Sequence, residues 1–135
     1  MKSEEFQELS ADLKRRRIPA EIKKTVSIML DKKAERIIVL KMKDLTDITD
    51  YMLICHGNSS RQNKAISDEI QDILRKEHKL KPFGVEGEQE AEWILIDYVD
   101  FIIHIFSEET RKKYALEKLW MDAKRYNFYI DSESE

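Results

Sequence analysis

Two pairs of aspartates share one spacing, Asp47 with Asp50 and Asp97 with Asp100, and a lone glycine opens the turn Gly57, Asn58, Ser59, Ser60. Together these types could serve metal-dependent nucleotidyl transfer, the carboxylates holding ions and the turn holding a phosphate. Two-metal chemistry needs carboxylates converging on ions about 4 Å apart, a geometry that alternate residues of one strand supply. Both pairs are spaced by three instead, and no D-x-D follows the Gly57 turn. No catalytic residue, metal ligand or cofactor is therefore assigned. The turn itself could aim backbone amides at a phosphate, yet it lacks the GxGxxG and P-loop patterns and is equally explained as a helix cap. A nucleotide-binding enzyme stays as the rival class, and it requires magnesium-dependent nucleotide binding. His56, His78 and His104 do not cluster in sequence. Cys55 and His56, adjacent on a strand, would point to opposite faces, which argues against a Cys–His nucleophile.

The segment 84–100 is more distinctive. It carries Glu86, Glu88, Glu90, Glu92, Asp97 and Asp100 with no Lys or Arg, around Trp93, Ile94, Leu95, Ile96 and Tyr98. Aromatic anchors flanked by acid suit docking onto a basic protein, the rings supplying contact energy and the charge supplying steering. Period two puts Trp93, Leu95 and Asp97 on one face and Ile94, Ile96 and Tyr98 on the other. If the second face packs on helices, the first is free for a partner. The alternative is that Trp93 is another core residue. Tyr114 falls off the core stripe of its helix, either as part of a contact surface or as cover for the N-terminal arm.

The elements that must position these residues follow from periodicity. Residues 3–17 place Phe6, Leu9 and Leu13 on one stripe before a basic run, Lys14 to Arg17, which reads as a solvated helix end or an RNA contact. Pro19 separates this arm from a helix over 20–33. Unbroken apolar runs predict buried strands at 36–42 and 51–55. Ser59 and Gln62 form a capping box for a helix ending near Glu77. A short or edge strand is expected within 80–85, a hairpin of strands at 93–96 and 101–106, and a last helix from Ser107 through Ala123. The result is an α/β fold with a mixed five-stranded sheet flanked by helices: residues 1–19 an amphipathic arm, 20–126 the domain, 127–135 an acidic tail expected to be disordered.

The 135 residues suit one domain, and 24 Lys and Arg against 27 Asp and Glu give a net charge of −3, which disfavours direct nucleic-acid binding. One cysteine, no N-terminal apolar run and no span of roughly 18 apolar residues lead to the expectation of a soluble cytoplasmic protein with no membrane association.

Three ordered blocks, DYMLICHGNSSRQNKAI, KPFGVEGEQEAEWILIDY and DFIIHIFSEETRKKYALEKLW, resemble the ribosomal silencing factor or Iojap family over residues 20–123. The matching positions are Asp50, Tyr51, Gly57, Ser59, Arg61, Glu86, Gly87, Trp93, Asp97, Tyr98, Asp100, His104, Arg111, Tyr114, Leu116, Glu117, Leu119 and Trp120. The resemblance implies a nucleotidyltransferase-like fold without the catalytic carboxylates and a non-enzymatic translational repressor. It would bind the large ribosomal subunit through ribosomal protein L-fourteen and sterically block joining of the small subunit; a role in large-subunit assembly is the alternative. Trp93, Leu95, Asp97 and Tyr98 are then expected at the centre of the docking surface, with Glu90 and Glu92 as rim and His104 and Tyr114 as further contacts. Direct RNA contact would be minor, and an exposed Trp93 face would favour a homodimer off the ribosome. Val99 stands where the family usually has glycine, so a wider hairpin is expected here.

Overall fold

The computed structural model describes residues 3–130. Helices α1 (Ser3–Arg15) and α2 (Ala20–Asp31) lead into β1 (Glu35–Lys41) and β2 (Tyr51–Gly57), followed by α3 (Ser60–His78). Then come β3 (Gly84–Glu86), β4 (Trp93–Asp97), β5 (Phe101–Ser107), α4 (Glu108–Tyr114), α5 (Leu116–Leu119) and β6 (Lys124–Phe128). The mixed α/β architecture is the expected one, but the sheet has six strands, in the order β3-β4-β5-β2-β1-β6. Strands β2 and β5 pair in parallel at its centre, with antiparallel neighbours on both sides.

One face of the sheet packs on α1, α2 and α3. Ile22, Val26 and Met29 of α2 and Ile66, Ile70 and Leu74 of α3 meet Ile37, Val39, Leu53, Ile94, Ile96, Ile103 and Ile105 there. Leu9, Leu13 and Ile18 are buried in the same cluster, so the N-terminal arm caps the sheet. Its basic run is a helix end: Arg15 and Arg16 pair with Asp12, and the Lys14 carbonyl accepts from Lys23 Nζ. The opposite face holds a smaller cluster, Ile38, Leu40, Met42, Met52, Ile54, Phe106 and Ala123, covered in part by Trp93, Leu116 and Trp120.

Two expectations about the C-terminal third change. The last helix does not run to Ala123, because Ala115 takes a left-handed conformation (φ 46) and its N–H closes α4 on the Arg111 carbonyl at 2.8 Å. Leu116, Trp120 and Ala123 still share one side, but they reach the second cluster from a short helix and a turn. A sixth, unexpected strand then begins directly after the expected helix and runs into the expected tail, burying Tyr126 and Phe128 between exposed Lys124, Arg125 and Asn127. Residues 127 and 128 of the expected disordered tail therefore belong to the sheet; residues 131–135 lie outside the described residues.

The β4–β5 hairpin is tight despite Val99. Asp100 N–H donates to the Tyr98 carbonyl at 2.9 Å across Val99, which sits at φ 73, a strained turn for a β-branched residue. Neighbours impose it: the Asp97 carboxylate accepts the Val99 N–H at 2.7 Å, and Thr49 Oγ1 donates to the Val99 carbonyl at 3.0 Å. The side chain is 57% exposed, so little packing is lost on removing it. Val99→Gly is expected to raise stability by about 1 kcal/mol, the left-handed penalty less the extra entropy glycine has when unfolded. A melting temperature higher by about 4 °C would show it, and an unchanged or lower one would refute it.

Candidate functional site

The sheet face away from α2 and α3 is only partly covered, and β4 lies where the cover ends. Strand pairing sets Trp93 opposite Phe106, Leu95 opposite His104 and Asp97 opposite Ile102. Side chains alternate along β4 as the sequence predicts: Ile94 and Ile96 are buried under the helices, while Trp93, Leu95 and Asp97 are half-buried on the open face.

Trp93 is the centre of an aromatic group. Its ring lies 5.0 Å from Phe106 and 4.8 Å from Tyr114 by centroids, both tilted, and its Nε1–H donates to His104 Nδ1 at 3.0 Å. Tyr114 is 47% exposed, and Leu119 and Met121 are exposed in the segment that follows. Beside the ring opens a 270 Å³ cleft lined by Gly87, Glu90, Glu92, Trp93, Thr110, Lys113 and Tyr114. Lys113 Nζ lies 5.6 Å from the Tyr114 ring centroid. Glu90 and Glu92 are exposed and make no ion pair among the described residues. Their loop is held rigidly: Asn63 Nδ2, fully buried on α3, donates to the Ala91 carbonyl at 2.8 Å, and Ser107 N–H donates to the Glu92 carbonyl. Gly87 (φ 82) is required there, since a Cβ would fall 2.0 Å from the Trp93 carbonyl oxygen.

The other expected site residues separate from this group. Tyr98 is on the opposite face, 8% exposed and stacked on Phe101 at 4.9 Å, because it is one step out of phase with Asp97. Burial pushes its hydroxyl up to about 12. Asp97 shares the face with Trp93 but uses one carboxylate oxygen to hold the Val99 turn. His104 is on the Trp93 face and inside it, 4% exposed.

The Gly57 turn forms the expected cap, Ser59 Oγ accepting the Gln62 N–H at 3.1 Å. Gln62 completes the box one residue further out, taking the Asn58 N–H at 2.6 Å, and its Nε2 ties the turn to the Lys32 and Lys33 carbonyls. Gly57 is there for space, since a Cβ would meet Asn63 Oδ1 at 2.3 Å. A 320 Å³ cleft over the turn is walled by Glu90, Glu92 and Glu108, which repel a phosphate. No three His, Cys, Asp or Glu among the described residues converge as a metal site. Burial pushes the Cys55 thiol up to about 12, the state of an inert core residue.

A second cluster went unread in the sequence. Arg111, 5% exposed on α4, donates from Nε to Glu117 at 3.0 Å and from Nη1 to His56 Nδ1 at 2.9 Å and the Glu35 carbonyl at 3.3 Å. The one signal was an arginine on the inner side of a short helix. Burial, then the Arg111 charge, lowers the His56 pKa; burial alone takes His104 to about 4. Both imidazoles are therefore neutral in the fold and take up protons on unfolding. Stability is complete above the unfolded value near 6.5 and falls with pH below it. His104 alone should remove about 2 kcal/mol between pH 7 and pH 5, above the range where most carboxylates titrate. Urea midpoints across that window should fall in the wild type and fall less in His104→Phe; equal slopes would contradict the assignment.

No helix among the described residues is long and apolar enough to cross a membrane. A family model described as ribosomal silencing factor during starvation matches residues 15–135. The ribosomal silencing factor of Halalkalibacterium halodurans is 43% identical over 98 residues, covering 73% of this chain and 83% of that protein. That of Bacillus subtilis is 45% identical over 93 residues, covering 69% and 78%. A crystal structure of a Chromobacterium violaceum protein superposes with a TM-score of 0.66 at 27% identity, over 98% of this chain and 97% of that one. With the mixed sheet, the family model over residues 15–135 and these relatives in agreement, the chain belongs to the ribosomal silencing factor family.

Proposed function

We propose that this protein is a translational repressor that binds the large ribosomal subunit through the Trp93 face and thereby blocks joining of the small subunit. The observation that carries the reading is a partly exposed aromatic group, Trp93 with Tyr114, beside the exposed carboxylates Glu90 and Glu92, which make no ion pair among the described residues. Such a face suits a basic protein, and the family relationship supports ribosomal protein L-fourteen as that partner. Action is by occupancy: no bond is made or broken, and no cofactor is needed. A standard interface of roughly 800 Å² per partner can supply the approximately −8 kcal/mol that submicromolar binding requires. The same face is open to a second copy in the cytoplasm, so a homodimer off the ribosome competes with docking.

Sedimentation of purified subunits through sucrose, with and without the protein, tests this. Co-migration with the large subunit and loss of the joined-ribosome peak is the expected result. Protein remaining at the top of the gradient would overturn it, and co-migration without loss of joining would leave binding but refute repression.

A further inference from the structure

Tryptophan has one polar atom, the indole N–H, which can only donate. In this chain that donor is already engaged within the molecule: Trp93 Nε1 reaches His104 Nδ1 at 3.0 Å. We infer that His104 is a positioning residue for docking, fixing the Trp93 indole so that a partner meets its ring and never its N–H. The inference rests on the reading of the Trp93 face as the docking surface.

Three observations support it. His104 sits on β5, which is paired on both sides, by β4 and by β2, so its backbone has nowhere to move. Its ring stacks on Phe106, with centroids 6.0 Å apart and planes 10° from parallel, and Phe106 in turn floors the indole at 5.0 Å. A floor and a tether together fix both side-chain torsions of Trp93, so little freedom is left to lose on binding. Finally, His104 is 4% exposed, which rules out a role as a broad contact surface. Accepting at Nδ1 requires the neutral ring with its proton on Nε2, and that buried Nε2 finds no partner among the described residues. The fold thus leaves one donor unsatisfied in order to keep the acceptor aimed at Trp93.

The partner chemistry follows. With its N–H occupied, Trp93 offers an apolar and π-rich surface, so the matching residue is an aliphatic or cationic side chain laid against the ring rather than a carbonyl or carboxylate at its edge.

The test compares His104→Asn with His104→Gln in the full-length protein. Asparagine returns an acceptor oxygen near the Nδ1 position, whereas glutamine places its amide near Nε2, beyond reach of the indole. Affinity for purified large ribosomal subunits is expected to stay within about threefold of wild type for His104→Asn and to fall about tenfold for His104→Gln. Exchange of the Trp93 indole proton, followed by NMR, should quicken only in the glutamine variant. Equal affinity in both variants, or equal losses that track equal falls in melting temperature, would overturn the positioning role. Trp93→Ala separates the two readings: unchanged binding there would sink the docking face itself, while lost binding with wild-type affinity in both His104 variants would sink only this inference.

Discussion

Trp93→Ala will weaken binding to the large ribosomal subunit by about thirtyfold or more, the loss of a central aromatic anchor of at least about 2 kcal/mol. The ring is poised for this effect, half-exposed, floored by Phe106 and flanked by Tyr114 and His104. The same contacts mean that the substitution is not silent in the free protein. Removing a fully buried tryptophan costs about 3–5 kcal/mol, and a half-exposed one at the margin of the smaller cluster should cost about half of that. A domain with about 5–15 kcal/mol of stability survives it, so the variant will be folded at 25 °C and deficient in binding. Circular dichroism melting and subunit affinity measured on one preparation would show the split. Proportionate losses in both would mean that Trp93 acts through packing alone.

The pattern that exposes Trp93 is local, which is why it is legible in the chain. Residues 93–98 alternate, and alternation decides that Ile94, Ile96 and Tyr98 go under the helices while Trp93, Leu95 and Asp97 stay out. The helices α2 and α3 are legible through their own period, and the strands β1, β2 and β5 through apolar runs buried on both faces, signals that are local as well. What the chain conceals depends on contacts far apart in sequence. Leu116, Leu119, Trp120 and Ala123 have helical spacing, yet the helix ends at a left-handed Ala115, and its Arg111 reaches inward to His56 and Glu35, more than 50 residues away. Strand β6 has alternating Tyr126 and Phe128 among polar neighbours, too short and too charged to outweigh that helical pattern until β1 offers it an edge. Val99 is the sharpest case. Residue type argues for an open turn, but Asp97 and Thr49 hold both of its peptide groups in a tight one. His104 belongs to the Trp93 face through a register, Leu95 against His104, that only the closed hairpin defines.

Replacing Arg111 with Met is the change expected to cost the most stability, about 3–5 kcal/mol, because it strips the cation from a largely buried carboxylate. Glu117 has a side chain 19% exposed and receives Arg111 Nε at 3.0 Å, and its other oxygen is buried with no partner among the described residues. His56 loses the donor to its Nδ1 at the same time, and the Glu35 carbonyl loses its link to α4. Glu117→Gln is also costly, since it leaves the guanidinium buried without its counter-charge. The double variant Arg111→Met with Glu117→Gln removes both charges and should be more stable than Arg111→Met alone, giving a coupling energy of about 1–3 kcal/mol in a double-mutant cycle. A cycle that closes at zero would mean that the pair is held by its surroundings and contributes nothing as a pair. The signature is the reverse of that for Trp93. Arg111 does not line the cleft beside Trp93, but it ties α4, which carries Tyr114, and α5, whose Leu116 packs on the cluster of Leu40 and Met42, to His56 and Glu35 at the ends of β2 and β1. Its loss should lower the melting temperature by more than 10 °C and reduce binding only as far as the folded fraction or the placement of Tyr114 suffers. Aromatic contact is thus read out in affinity and the arginine node in stability, and measuring both quantities on both variants distinguishes a surface built for a partner from the scaffold that holds it.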